Sequence, residues 1–373
     1  MKTGIIGCGK VAHLHAAGLV NLEESEFTAV CDLDRARVEA FAAQYGVKAY
    51  TDIAAMVENS GIEMLTVATP HPVHAKPAVI ALEAGANVLI EKPLASTLED
   101  CDTMIAASKR TGRKIGMISQ RRLYEPVLRV KQAIAAGKLG TPVLGTLTML
   151  GWRDEPYYRS DPWRGKWRAE GGGVLVNQAP HQLDILQWYM GEIDELSGYW
   201  ANLNHPYIEV EDTAAAVIKF RNGGLGAICV SNSQNPALYG KVHVHGSNGA
   251  SAGVQTDGGS MFIAGVTGIT EPPYNDVWTV PGEEKMLDVW KAEITEKFQK
   301  VDATKHYHQL MIADFIDAIA NDRAPLITAE SGRVTVELFT AIYRSNRDRT
   351  PIKFPLQPEA DNATMDGRVV AKL

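Results

Sequence analysis

Lys92 sits where an apolar strand would be expected simply to end. The segment "NVLIEKPLAS", residues 87–96, runs through Val88, Leu89 and Ile90 and stops on an acid, a base and a proline. Proline biases the preceding residue toward extended backbone, so Pro93 holds Lys92 at a strand tip and keeps it out of a helix. An ammonium held there can stabilise a developing oxyanion, with Glu91 to restrain or balance it. The plainer reading is a surface lysine at a strand end. A second group lies in "EGGGVLVNQAPHQLDILQWYMG", residues 170–191, where Asn177, His181 and Asp184 fall at i, i+4 and i+7 on one helical face. An imidazole is suited to general-base work near neutral pH. The three glycines beside it let a ligand approach the backbone. Pro180 leaves two local solutions. Either the helix starts before Asn177 and kinks, or Asn177 caps it and Pro180 sits in its first turn.

These groups need elements to position them. Residues 1 to about 120 alternate strand-like runs ("KTGIIG", "FTAVCD", "MLTVAT", "NVLIEK", "KIGMIS") with helical stretches such as "DRARVEAFAAQYG" and "HAKPAVIALEAG", each ending on glycine. That alternation predicts βαβ units and a doubly wound parallel sheet. The first turn, "GIIGCGKVA", has a G-x-G-x-x-A arrangement in Gly7, Gly9 and Ala12, with Lys10 and Val11 between them. Gly7 permits the tight turn, Gly9 opens the backbone to a pyrophosphate, and Ala12 allows close helix packing. Asp32 ends the next strand, 20 residues after Ala12, where an acid accepts from a ribose. A carboxylate repels a 2′-phosphate, so NAD is favoured over NADP, although Arg35 and Arg37 are close enough to grip one. The strand "TVATPHPVH" ends in a proline motif of its own and puts Thr69, Pro70 and His74 among the cofactor candidates, beside Glu91 and Lys92. His74 also reads as a plain helix-start residue.

The remainder, residues 121–373, reads as a second α/β domain. Close-set strands ("VLGTLTML", "ELSGYWANL", "DTAAAVIKF", "GAICVSNS", "KVHVHG") predict a large, mostly antiparallel open sheet with few helices and two late ones. No flexible linker precedes it. The segment "WRDEPYYRSDPWRGKWR", residues 152–168, packs five aromatic and five basic residues. Aromatic faces and forked guanidinium groups suit sugar recognition. Arg153, Tyr158, Trp163 and Arg164 are the substrate candidates there, with Asn177, His181 and Asp184. The competing reading is a loop pinned by its own tryptophans or buried at a subunit contact.

Bulk properties narrow the function. A net charge of −7 argues against nucleic acid as the main partner. Four cysteines without paired spacing predict reduced thiols and no metal site. No apolar run reaches membrane-spanning length, and the first strand begins almost at Met1, which predicts a cytoplasmic protein without a membrane partner. An open sheet should not leave an apolar face wet, so a homodimer or homotetramer is expected.

In "GIIGCGKVAHLH", "ATPHPVHA", "AGANVLIEKPLA" and "GGGVLVNQAPHQLD" the chain resembles the glucose–fructose oxidoreductase/inositol dehydrogenase/MocA (Gfo/Idh/MocA) family over essentially its whole length. The resemblance implies a Rossmann domain plus an open-sheet α/β domain, and NAD(P)-dependent oxidation or reduction at a sugar or cyclitol carbon. It implies that Lys92 is the active-site lysine and His181 the catalytic histidine, roles that can swap if desolvation lowers the lysine pKa. Many members carry aspartate four residues before that histidine. Here it is Asn177, which can orient an imidazole or hydroxyl but cannot stabilise imidazolium by charge. The expected reaction is oxidation of a ring hydroxyl of a sugar, glycoside or cyclitol, with position 3 of a glucoside preferred and inositol next. The competing class is an NAD-binding regulator without turnover.

Overall fold

The computed structural model describes residues 1–256, 272–360 and 365–369. Its strands are β1 (Lys2–Ile6), β2 (Glu26–Cys31), β3 (Lys48–Tyr50), β4 (Met64–Val67), β5 (Asn87–Ile90), β6 (Ile115–Met117), β7 (Pro142–Leu150), β8 (Ile193–Ala201), β9 (Thr213–Phe220), β10 (Leu225–Ser231), β11 (Gly240–Gly246), β12 (Ser251–Thr256), β13 (Tyr274–Trp278) and β14 (Ile352–Lys353). The helices are α1 (Ala12–Asn21), α2 (Arg35–Tyr45), α3 (Ile53–Ser60), α4 (Ala75–Glu83), α5 (Leu98–Thr111), α6 (Glu125–Ala135), α7 (Glu155–Arg159), α8 (Trp167–Glu170), α9 (Pro180–Met190), α10 (Met286–Lys300), α11 (Ala303–Ala320) and α12 (Ala329–Asp348). They form two compact units.

The first unit contains Met1–Gln120 and Asp302–Val334. Its sheet is parallel, in the order β3-β2-β1-β4-β5-β6. Every residue of β4 and β5 is buried, as expected for strands covered on both faces. Strand order reverses between β1 and β4, the switch point outside which ligands bind in such sheets. Asp34 caps α2 by accepting from the Arg37 N–H, and Gly46 closes it in the left-handed region at φ 69°. The "KAY" strand β3 escaped the sequence reading because three largely exposed residues carry no alternation. A larger difference is that residues 302–334 belong to this unit, not to the second domain. Helix α11 buries Tyr307, Met311, Ile312 and Phe315, and Ile312 Cδ1 lies 2.8 Å from where a Cβ on Gly18 of α1 would stand. The Met117 N–H also donates to the carbonyl of Ile327, which ties the following segment to β6.

The second unit takes its described residues from 121–301 and from 335 onward. Its sheet runs β13-β12-β11-β7-β10-β9-β8-β14 and is antiparallel except for the pair β7–β10. In β9, Ala214, Ala216, Ile218 and Phe220 are buried and the residues between them face outward. The unit is richer in helix than its sequence suggests, because α6 to α10 and most of α12 belong to it.

Candidate active site

In the first unit the loop after β1 has the shape a dinucleotide needs. Gly7 has φ +91°, and a Cβ there would stand 2.9 Å from the backbone of Ala68. Gly9 is the reverse case: a Cβ there would meet nothing within 4 Å. Gly9 and Lys10 are exposed, Val11 is half-buried and Ala12 is fully buried as α1 begins. A helix N-terminus therefore follows an open loop, the arrangement that receives phosphates. Asp32 is held at the end of β2 by the N–H of Cys8 at 2.8 Å and of Asp34 at 2.9 Å, one on each oxygen. Each oxygen keeps a lone pair for a ribose hydroxyl. Arg37 lies 3.5 Å from Asp32 and 3.4 Å from Asp34, and Arg35 lies 3.8 Å from Glu39, so both arginines are already balanced by acids. Thr69 adds a buried hydroxyl with no hydrogen-bond partner among the described residues. The residues present therefore fit NAD.

The two proline-marked strand tips are fastened together. His74 is fully buried, with Nε2 2.9 Å from the carbonyl of Thr69 and Nδ1 3.0 Å from that of Pro93. Burial lowers its pKa, and a neutral ring donates to one carbonyl at a time. The cofactor role expected for His74 gives way to that of a clamp between the tips. Lys92 is half-buried beyond β5. Glu91 restrains the Lys92 backbone and is shared with two histidines. Its Oε1 faces Nε2 of His15 at 2.8 Å and Nε2 of His308 at 3.4 Å, while Oε2 accepts from the Lys92 backbone N–H at 3.1 Å. Burial alone would raise this carboxyl; the hydrogen bonds from His15 and His308 outweigh it and hold it well below the usual range. His308 comes from α11, a contribution that no spacing in the sequence announced.

In the second unit the glycine run has a different purpose from the one expected. A Cβ on Gly173 would stand 1.8 Å from the carbonyl oxygen of Glu211, and one on Gly172 would stand 2.4 Å from the Tyr343 hydroxyl. The space is filled by the protein's own chain, not kept for a ligand. The Glu211 carboxylate accepts from the N–H groups of Gly173 and Leu175 at 2.9 and 3.0 Å and from Tyr343 at 2.9 Å. Burial still pushes its pKa up to about 7. The run leads into a single π turn, Val174–Gln178, and α9 starts at Pro180 with Ala179 as its N-cap. Pro180 does sit in the first turn of α9, but Ala179 and not Asn177 is the cap, because the wide turn precedes the proline and leaves Asn177 outside α9.

The π turn brings Asn177 and Gln178 onto Tyr157, which the sequence reading passed over. The Tyr157 hydroxyl accepts from Arg164 Nη1 at 2.5 Å, Gln178 Nε2 at 3.0 Å and Asn177 Nδ2 at 3.3 Å. The guanidinium groups of Arg164 and Arg153 lie 4.3 and 5.3 Å from its ring centroid. Gln178 Oε1 accepts from Asn232, which also donates to the Tyr158 hydroxyl. Tyr158 itself is buried among Tyr157, His205 and Tyr207. Trp163 lies against Arg164, whose Nε donates to Asp161 at 3.2 Å. The aromatic segment is therefore largely pinned by its own side chains. His181 is buried one turn beyond Asn177, with Nδ1 out of reach of solvent. Asp184 is 1% exposed, and Arg122 donates to its two oxygens at 2.7 and 2.5 Å. Its placement is that of an ion-pair partner in the core, not of a substrate ligand.

Among the described residues no cluster of His, Cys, Asp or Glu is arranged to hold a metal, and no helix is long and apolar enough to cross a membrane. Cys8, Cys31, Cys101 and Cys229 are free thiols, the last one exposed.

Comparison with known proteins bears on both units. The family profile described as "Oxidoreductase family, NAD-binding Rossmann fold" matches residues 1–119, and the GFO/IDH/MocA C-terminal domain matches residues 127–252. A 1-carboxy-3-chloro-3,4-dihydroxycyclo hexa-1,5-diene dehydrogenase of Comamonas testosteroni is 27% identical, covering 93% of this chain and 95% of its own. The scyllo-inositol 2-dehydrogenase (NAD(+)) of Bacillus subtilis is 24% identical, covering 96% and 97%. The crystal structure of the WlbA dehydrogenase from Bordetella pertussis, in complex with NADH and UDP-GlcNAcA, superposes with a TM-score of 0.84. It shares 27% identity and covers 96% of this chain and 98% of that one. The chain belongs to the Gfo/Idh/MocA family of oxidoreductases, with an NAD-binding Rossmann unit and the family's C-terminal domain.

Proposed function

We propose that this protein is an NAD-dependent dehydrogenase oxidising a ring hydroxyl of a sugar, glycoside or cyclitol. Position 3 of a glucoside is the preferred target and inositol the second. The observation that carries the reading is the buried His181 at the start of α9, one turn from an amide network ending on Tyr157 and two arginines. Such a network offers the mixed donors and acceptors that a polyol presents in return. The relatives support it, since they include inositol dehydrogenases and a dehydrogenase bound to a nucleotide-linked sugar acid.

Bound NAD supplies the acceptor for the hydride; Gly7, Gly9, Lys10, Val11, Ala12, Asp32, Thr69 and Pro70 are the residues proposed to hold it. The substrate hydroxyl must lose its proton as its carbon loses hydride. His181 takes that proton at Nε2, because Nδ1 is shielded from solvent. Lys92, as ammonium, lowers the energy of the alkoxide that develops. Arg153, Trp163 and Arg164 are proposed to border the sugar, Asn177 to orient a hydroxyl or the imidazole, and Tyr158 to support them from beneath. The test is NADH absorbance over a panel of sugars, glycosides and cyclitols. His181→Ala and Lys92→Ala should each keep NAD binding and lose about 10²–10⁴ in kcat. NAD binding without NADH formation across the whole panel would favour the regulator.

We also infer a homodimer or homotetramer. Val217 and Tyr199 are each 61% exposed and Leu225 is 56% exposed on the outward face of the second sheet. Ala215 and Cys229 pair across the strands between them. Sedimentation at micromolar concentration should show an assembly that Val217→Glu dissociates. A monomeric wild type would refute it.

A further inference from the structure

Glu170 and Asn177 meet in a contact that the proposed chemistry does not use. Glu170 ends α8 and is 1% exposed. Its Oε2 accepts from the Gly165 N–H at 2.5 Å, and its Oε1 accepts from Asn177 Nδ2 at 2.5 Å. The same Nδ2 donates its other hydrogen to the Tyr157 hydroxyl at 3.3 Å. An ionised carboxylate has nothing to donate, so only the nitrogen end of the amide can face it. Asn177 is thereby turned with its NH₂ group inward and its oxygen toward whatever else it meets.

We infer that Glu170 is a positioning residue, which fixes Asn177 as an acceptor toward a substrate hydroxyl. The inference rests on the proposed roles of His181 and Asn177 and deepens them. An acceptor beside the general base holds the hydroxyl in one orientation. The negative charge that an amide lacks is supplied one hydrogen bond behind it. A Glu170 that gained a proton would become a donor and could bond the amide oxygen instead. The amide would then turn over and present N–H groups where the reaction needs an acceptor.

The surroundings make that exchange responsive to pH. Arg164, Tyr157, Tyr158, Glu211 and Tyr343 are among the described charged or titratable groups that act on Glu170 or feel its charge. Burial pushes the Glu170 carboxyl from 4.5 up to about 7, against the hydrogen bonds from Gly165 and Asn177 and the charge of Arg164. The folded chain then binds this proton more tightly than the unfolded chain. Stability from this group falls as pH rises from 4.5 toward about 7 and levels off above it.

Three variants test the inference: Glu170→Gln, Asn177→Asp and the two together. Melting temperature is followed against pH with no substrate or cofactor present, and kcat and KM are measured with a polyol that turns over. Glu170→Gln should make the decline in stability between pH 4.5 and about 7 shallower, leaving the share that Glu211 contributes over the same range. It should also lower kcat about tenfold or more while changing KM less, because the substituted side chain can donate to the Asn177 oxygen and reverse the amide. Asn177→Asp sets a half-buried carboxyl against the buried Glu170 and should melt lower than wild type. The double variant exchanges amide and carboxylate, so it should melt above Asn177→Asp and recover most of the lost kcat. A double variant that melts no higher than Asn177→Asp, or a Glu170→Gln protein with the wild-type pH dependence, overturns the inference. If no polyol in the panel reduces NAD, the proposed reaction falls, while the melting comparisons still decide whether Glu170 sets the amide.

Discussion

Asp184→Ala should damage the fold of the second unit before it affects any substrate. Arg122 grips this carboxylate through Nε at 2.7 Å and Nη2 at 2.5 Å, and the two side chains are only 5% and 1% exposed. Thr335 adds a contact to Oδ1 at 3.4 Å. The Trp188 ring lies 4.8 Å from the guanidinium, but an aromatic face cannot replace two carboxylate acceptors. Breaking a buried pair from one side leaves a charge in the core and costs about 3–5 kcal/mol. That is about two to four powers of ten in the unfolding equilibrium. The pair is shielded from solvent, so added salt should change the loss little. Urea unfolding followed by tryptophan fluorescence reads the right unit, because all seven tryptophans lie between residues 152 and 290. Arg122→Met with Asp184→Leu should regain most of the loss, since neither ion then has to be desolvated. A wild-type midpoint for Asp184→Ala, with the defect confined to a raised KM, would refute the buried-pair argument and return Asp184 to the substrate.

Two glycine substitutions should separate ligand loops from packed ones. Gly9→Ala has open space and should fold normally while weakening NAD binding, measured by fluorescence titration. Gly173→Ala places a methyl 1.8 Å from a backbone oxygen and should fail to fold or melt far lower, measured by circular dichroism. Normal stability for the second variant would show that the run can relax without its glycines. The assembly tested with Val217→Glu and the charge exchange at Glu170 complete the set.

Local rules carried the first unit a long way. Glycine spacing, an acid 20 residues on and apolar runs ending in proline are short-range signals, and each depends on backbone geometry that a few neighbouring residues impose. That is why the parallel alternation, the open glycine turn and the strand-tip position of Lys92 could be read directly.

What they could not supply was the identity of partners distant along the chain. Asp184 lies on the same helical stretch as His181, yet its role depends on Arg122, 62 residues earlier. Glu91 was set against its neighbour Lys92, whose backbone it does hold, but its carboxylate also answers to His15 and His308 from two other helices. The glycine run looked like room for a ligand until Glu211 and Tyr343 filled it. Hydrogen bonds, charge compensation and steric contact act over a few ångströms of space regardless of separation in sequence. A residue's chemical type and local backbone are therefore written in its neighbours, whereas its protonation, orientation and availability are settled only when the chain closes on itself.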